Sequence, residues 1–190
     1  MGEDKAWLEL GGRPLILHSI DVLRSLTADV SIIATGERYQ SLGFPVYHDS
    51  NLDVGPLEAI RIAAANASSE WAIVLACDLP LVKPSLFELL LSLREGYDVV
   101  VPTGHDGHLE TLCALYSRKI LTPVTELILG GGRMVRLLFE SVRTRTVSFE
   151  ELKDLEESSL YFENINTRLD YERVRNITSD IGTREKGPAK

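Results

Sequence analysis

The sequence predicts an α/β domain built on a mostly parallel sheet with helices on both faces, and three observations carry that expectation. Short apolar, β-branched runs alternate with stretches of helical period along most of the chain, the rhythm that βαβ units leave in a sequence. The run Trp-Ala-Ile-Val-Leu-Ala at 71 to 76 is apolar at every position, as befits a strand buried on both faces of a sheet. A chain of 190 residues, 44% hydrophobic and 25% charged, is long enough for one well-cored domain and short for two.

The elements follow in order. Residues 14 to 26 place Leu15, Leu17, Ile20, Val22, Leu23 and Leu26 near one helical face, with Pro14 suited to the first turn. A strand is expected at 29 to 35 and another at 45 to 48, ending in Asp49. Gly55-Pro56 opens a helix through Ala67 that is rich in alanine and isoleucine. The strand at 71 to 76 ends in Cys77-Asp78-Leu79-Pro80. A helix is expected from 84 to 94, a strand at 97 to 101 closed by Pro102, and a polar loop from Thr103 to His108. Then come a strand at 112 to 116, a helix at 117 to 129 stopped by Gly130-Gly131-Gly132, a helix at 133 to 140 and a strand at 143 to 147. A last helix is expected around 168 to 176. Residues 1–177 read as one domain, and the polar, aperiodic 178–190 as a disordered tail.

Composition excludes some functions. Lys and Arg number 20 against 28 Asp and Glu, a formal charge of −8, so no nucleic-acid surface is expected. A small anionic substrate stays open, because a few cations can line one cleft of an acidic protein. Cys77 and Cys113 both sit in apolar runs, which favours buried free thiols over a metal or redox role. No apolar run approaches the ~20 residues that span a bilayer, and Met-Gly-Glu-Asp-Lys has no signal-peptide character. The expectation is a cytoplasmic protein with no membrane partner.

In open α/β sheets ligands bind beyond the carboxyl ends of the strands, which draws attention to Asp49, Asp78, Asn164 and Asn166. Asp78 follows the most apolar strand and is held in a turn by Pro80. It reads either as a hard oxygen ligand for Mg²⁺ or as a turn aspartate. Lys5 could neutralise a triphosphate as a compact point cation, or be a surface lysine. Asp49 with Gly55-Pro56-Leu57 could hold a base or ribose, Gly55 allowing close backbone approach; an ordinary turn before a helix is the alternative. Gly130-Gly131-Gly132-Arg133 reads first as helix punctuation and second as a mobile loop from which Arg133 grips a phosphate. His105 and His108 lack a third zinc ligand, and no run suggests a covalent nucleophile.

Together these pieces resemble the molybdenum cofactor guanylyltransferases. Met1-Gly2-Glu3-Asp4-Lys5-Ala6 and Leu10-Gly11-Gly12-Arg13-Pro14-Leu15 are similar to the family's M-G-x-D-K-A and G-x-P-L. Asp49 with Gly55-Pro56-Leu57 is similar to D-x-x-x-x-x-G-P-L, and Cys77-Asp78-Leu79-Pro80 to the metal motif C-D-x-P. Glu110-Thr111-Leu112-Cys113-Ala114-Leu115-Tyr116 is similar to E-P-L-x-A-x-Y, with Thr111 in the usual proline's place, and Asn164-Ile165-Asn166-Thr167 to N-I-N-T. The resemblance runs in register from Met1 to about Val174. It implies a Rossmann-like, three-layer nucleotidyltransferase fold and transfer of GMP from GTP to molybdopterin cofactor with release of pyrophosphate. It also implies roles: Lys5 on phosphates, Asp49 on guanosine, Asp78 on Mg²⁺, and Asn164 and Asn166 on the pterin side. Accessory proteins of cofactor delivery are implied as partners.

In the family a strand and the loop L-A-G-G-x-S-x-R precede the M-G-x-D-K stretch. The chain as given, starting at Met1, is therefore expected to be N-terminally incomplete, through a start codon placed too late, and inactive and poorly folded by itself. Two alternatives stay open: a related cytidylyltransferase or other small-molecule nucleotidyltransferase, and a non-catalytic binding domain that has lost the phosphate loop.

Overall fold

The computed structural model describes residues 4–49 and 54–185, with side chains through residue 179. Among these, the strands are β1 (Glu9–Leu10), β2 (Arg13–Pro14), β3 (Ile32–Ile33), β4 (Val46–Tyr47), β5 (Trp71–Leu75), β6 (Val99–Pro102), β7 (Cys113–Ser117) and β8 (Thr144–Val147). The helices are α1 (Leu15–Leu26), α2 (Pro56–Asn66), α3 (Pro84–Ser92), α4 (Leu121–Leu129), α5 (Val135–Ser141), α6 (Phe149–Leu152) and α7 (Arg168–Glu185). Short 3₁₀ turns lie at Lys5–Trp7, Glu37–Leu42, Arg118–Ile120 and Ser158–Leu160.

The larger sheet has the order β5-β7-β6-β8. β7 runs antiparallel to both its neighbours, and β6 pairs with β8 in parallel. Three of its four strands thus run one way and β7 opposes them, which makes the ladder mixed. Side-chain alternation sorts the core into two faces. Val74, Val99, Val101, Ala114 and Tyr116 pack with α2, α4 and α5. Ile73, Leu75, Val100, Cys113 and Leu115 pack with α3 and with Val22 and Leu26 of α1. The result is three layers, helices on both faces, as the Rossmann-like expectation requires.

Burial is uneven across that sheet. All five residues of β7 and all four of β6 are buried. The Tyr116 hydroxyl, though in the interior, donates to the Thr111 carbonyl at 2.6 Å, so its polar atom carries no desolvation penalty. β5 is different. Only Ala72 is fully buried, and Trp71, Ile73, Val74 and Leu75 are half-buried, against the expectation that this run is the most deeply buried strand. The cause is topological: among the described residues β5 is an edge, and β3 and β4 form a separate parallel pair that does not join it.

Three local features depart from the sequence expectation. Leu10-Gly11-Gly12-Arg13 closes a hairpin between β1 and β2, with both glycines at positive φ (61° and 79°), as a two-residue primed turn demands. Residues 118–120 form a 3₁₀ turn before α4. α7 continues to Glu185, so the stretch expected to be disordered from 178 is helical that far. Apolar period is not needed to extend a helix already nucleated on Thr167 and Asp170, and Thr178 and Ser179 return hydroxyl bonds to the Arg175 carbonyl. Residues 186–190 of that expected tail lie outside the described residues.

Candidate nucleotide site at the carboxyl edge

Asp78 stands where β5 gives out. The strand's regular pairing ends as Ala76 donates to the Leu112 carbonyl at 2.7 Å, and the next turn is fixed from across the fold by Ile165, whose N–H donates to the Asp78 carbonyl at 2.9 Å. Leu79 plugs into the α3 layer at 3% exposure. The carboxylate is thereby pinned at the edge of the sheet. Burial raises its pKa, and the positive charge of Lys5 opposes that rise.

Lys5 arrives from the other end of the chain. Asp4 caps the short turn that carries it, Oδ1 accepting from the Ala6 N–H at 3.2 Å, while Oδ2 accepts from the Tyr39 hydroxyl at 2.5 Å. Trp7 packs on Tyr39, and the Arg38 guanidinium lies 4.0 Å over the Trp7 ring. Braced in this way, the Lys5 ammonium donates to Asn166 Oδ1 at 2.6 Å. Asn166 is itself held by the start of α7: Asp170 Oδ2 accepts from the backbone N–H groups of Asn166 and Thr167, and the Asp170 N–H returns a bond to Thr167 Oγ1. This reciprocal cap explains why Asn-Ile-Asn-Thr sits directly before a helix.

The structure therefore brings Lys5, Asp78 and Asn166 together, with Asn164 one residue before the Ile165–Asp78 tie. Asp49 follows β4 by two residues and Gly55 directly precedes α2. Gly55, at φ 66° and ψ −143°, precedes α2 in backbone space open only to glycine. Two side-chain acceptors, Asp49 Oδ1 and Asn164 Oδ1, are buried without a hydrogen-bond partner among the described residues. Such atoms are costly unless a ligand or solvent satisfies them. Residues 50–53, within the Asp49–Gly55 motif, and Met1, Gly2 and Glu3 of the first motif lie outside the described residues.

Glu110 was given no role by the sequence and belongs to this group. Because β7 is antiparallel, its beginning, not its end, lies beside the carboxyl end of β5, with Cys113 opposite Leu75. The loop before it folds back so that Glu110 Oε1 and Asp106 Oδ1 converge over Gly104, where an added Cβ would meet them at 3.1 and 3.2 Å. Burial, then the charges of Asp106 and Asp78, push Glu110 up to about 6. The signal available in the sequence was the acidic residue just before a strand, but only strand direction gives it meaning.

The remaining candidates fall elsewhere. Arg133 is exposed and its side chain donates to the Gly132 carbonyl. The glycines end α4, and a Cβ at Gly132 would strike the Leu127 side chain, which is the punctuation reading. The His105 ring lies against that of Phe149, centroids 3.5 Å apart and planes tilted by 35°. Cys113 is buried; Cys77 is only half-buried, next to the edge of β5, its thiol pushed up to about 11 by burial and the Asp78 charge. Among the described residues no cluster of three or more His, Cys, Asp or Glu could enclose a metal ion, and no helix is long and apolar enough to cross a membrane. A carboxylate pair is nonetheless what a phosphate-bound Mg²⁺ uses, and Asp78 with Glu110 supplies the right donor chemistry.

Comparison with known proteins assigns the chain to a family. Residues 1–145 match the MobA-like NTP transferase domain. The chain is 34% identical over 181 residues to a Carboxydothermus hydrogenoformans protein named "Probable molybdenum cofactor guanylyltransferase", covering 94% of this chain and 90% of that one. It is 30% identical to the molybdenum cofactor guanylyltransferase of Desulfosudis oleivorans, covering 91% and 86%. Molybdopterin-guanine dinucleotide biosynthesis protein A from Archaeoglobus fulgidus superposes with a TM-score of 0.80 at 24% identity over 94% of this chain and 92% of that one. A Thermus thermophilus cytidylyltransferase shares the fold at 0.70 and 15%, over 92% and 94%. The chain belongs to the MobA-like NTP transferase family, with the molybdenum cofactor guanylyltransferases.

Proposed function

We infer that the protein transfers GMP from GTP to molybdopterin cofactor and releases pyrophosphate. The carrying observation is the convergence of Lys5, Asp78 and Asn166 at one edge of the sheet. In the reaction the cofactor's terminal phosphate attacks the α-phosphorus of GTP, and pyrophosphate leaves. No protein nucleophile is required, so catalysis rests on alignment and charge neutralisation. Asp78, with Glu110 beside it, would hold Mg²⁺. Such an ion, when bound, would supply positive charge to the phosphate oxygens.

The chain's own residues divide the rest of the task. Lys5 neutralises the triphosphate, and Asn166 orients its ammonium for that purpose. Asp49 Oδ1, an unsatisfied acceptor, suits the N–H donors of guanine, and Gly55 lets backbone come close to the nucleoside. Asn164 Oδ1, unsatisfied as well, suits a donor on the pterin.

The test incubates the protein with molybdopterin cofactor, Mg²⁺ and either GTP or CTP. Guanine dinucleotide as the dominant product supports the reading. Cytosine dinucleotide formed at least as fast reverses the base assignment, and absence of both products makes the fold a binding module.

A further inference from the structure

β6 and β8 run in parallel and end together at the carboxyl edge. The Thr103 N–H donates to the Val147 carbonyl at 2.9 Å, so the two chains leave the sheet side by side. Two residues further on, His105 and Phe149 meet, ring centroids 3.5 Å apart. Both positions are braced. The Gly104 N–H donates to the His108 carbonyl at 2.9 Å and the Gly107 N–H to the Gly104 carbonyl at 3.0 Å, which closes the loop that carries His105. Phe149 opens α6 behind the reciprocal cap of Ser148 and Glu151, and it packs at the margin of the cluster that holds Leu79 and Tyr161.

His105 is exposed, and neither of its ring nitrogens has a hydrogen-bond partner among the described residues. It offers a flat ring, backed by a second one. Asp106 stands next to it. Its Oδ1 accepts from the His108 N–H at 3.0 Å, while Oδ2 lies 3.9 Å from His108 Nε2, beyond hydrogen-bond reach. Asp106 and Glu110 converge over Gly104, and Phe162 approaches the same point at 3.9 Å. Two residues after Phe162 comes Asn164 with its unsatisfied Oδ1. The strand order β5-β7-β6-β8 sets the ring pair two to three inter-strand spacings, about 10–14 Å, from Asp78 at the end of β5.

We propose, on the reading that the acceptor is a pterin, that the His105–Phe149 pair is the platform on which its ring lies flat, with the amino-pyrimidinone edge toward Asp106. A planar heterocycle gains from stacking on a ring whose outer face is open. Its amino group and the neighbouring ring N–H point the same way, and one carboxylate accepts such a pair much as it accepts the edge of a guanidinium. Guanine carries the same donor edge, and position separates the two. Asp49 follows β4, which among the described residues pairs with β3 alone, whereas the platform stands at the β6–β8 end of the larger sheet. A guanosine on the Asp49 side leaves the platform to the acceptor. The acceptor's phosphate must meet the α-phosphorus near Asp78, and the span across β7 then carries its ring over β6 and β8. A loop already braced in the binding shape pays little to order itself when the ring arrives.

The rings of the four histidines report on this in a ¹H–¹³C NMR titration of the protein, the His105→Phe variant assigning the His105 signals. Two probes are added separately: free pterin (2-amino-4-oxopteridine), and GTP with Mg²⁺. A ring stacked on the imidazole shifts its protons upfield. Pterin is expected to shift the His105 signals and GTP to leave them in place, and Asp106→Asn should weaken the pterin response about tenfold. A shift with GTP rather than pterin gives the platform to guanine and overturns the assignment; so does no shift with either probe. Transfer kinetics form the second arm. His105→Ala should raise the acceptor's KM about tenfold, and His105→Phe, which keeps a flat ring, should restore it. The KM for GTP should change by less than about twofold in both variants. A parental acceptor KM in His105→Ala overturns the platform and leaves the transfer reaction standing. Should transfer be absent altogether, the reaction falls, and the histidine titration still decides the platform.

Discussion

The inner strands β6 and β7 and the edge strands β3 and β5 are built from equally apolar sequence and end up in different states. Leu115 in β7 and Val99 to Val101 in β6 are fully buried, because each strand has a neighbour on both sides and helices on both faces. Ile73 and Leu75 in β5, and Ile33 in β3, are half-buried. Hydrophobicity alone therefore does not decide burial in a layered sheet; completion of the hydrogen-bonded neighbours does.

Truncation separates the two groups most strongly. Leu115→Ala should cost about 2–5 kcal/mol, as expected for a fully buried leucine, whereas Ile73→Ala should cost about 1 kcal/mol, because its side chain is already half-exposed on the edge strand. Denaturant unfolding of both variants checks this, and equal losses would mean that the edge strands are packed as tightly as the inner ones.

The brace beneath Lys5 should give a smaller effect. Tyr39→Phe removes the hydroxyl bonded to Asp4 and is expected to cost about 1–2 kcal/mol, a hydrogen bond to a charged partner. Thermal unfolding reads the stability. GTP affinity should fall with it, since the Lys5 turn loses an anchor; unchanged affinity would detach the brace from the site.

Glu110 gives the smallest effect, and one that depends on pH. Its folded pKa is raised to about 6, above its unfolded value, so between those two values the folded state holds a proton that the unfolded state has lost. Stability then falls as pH rises through that window. Glu110→Gln should recover about 1 kcal/mol or less at pH 7, discounted for partial exposure, and nothing at pH 4. A gain equal at both values would remove the ionisation from the explanation.

Much of this was legible in the sequence, and for identifiable reasons. Apolar runs marked β5, β6 and β7, and a carboxylate straight after β5 marked Asp78. Strand direction was not legible: nothing in Leu112 to Tyr116 shows that β7 runs backwards, so Glu110 went without a role. Nor could the half-burial of Trp71 to Leu75 be read, since it depends on what lies beside β5 rather than on its own residues. The tie between Lys5 and Asn166 joins the two ends of the chain; the motifs implied a common site, but only the folded structure supplies the contact.

The central claim is that the carboxyl edge holds a guanine nucleotide through a divalent ion on Asp78. Calorimetry of GTP binding and assay of transfer, with and without Mg²⁺, on the protein and its Asp78→Asn variant test it directly. The account predicts that Mg²⁺ strengthens GTP binding and supports turnover in the parent, and that Asp78→Asn loses both while keeping its unfolding temperature. Near-parental turnover in Asp78→Asn, or GTP affinity indifferent to Mg²⁺ in the parent, would contradict it.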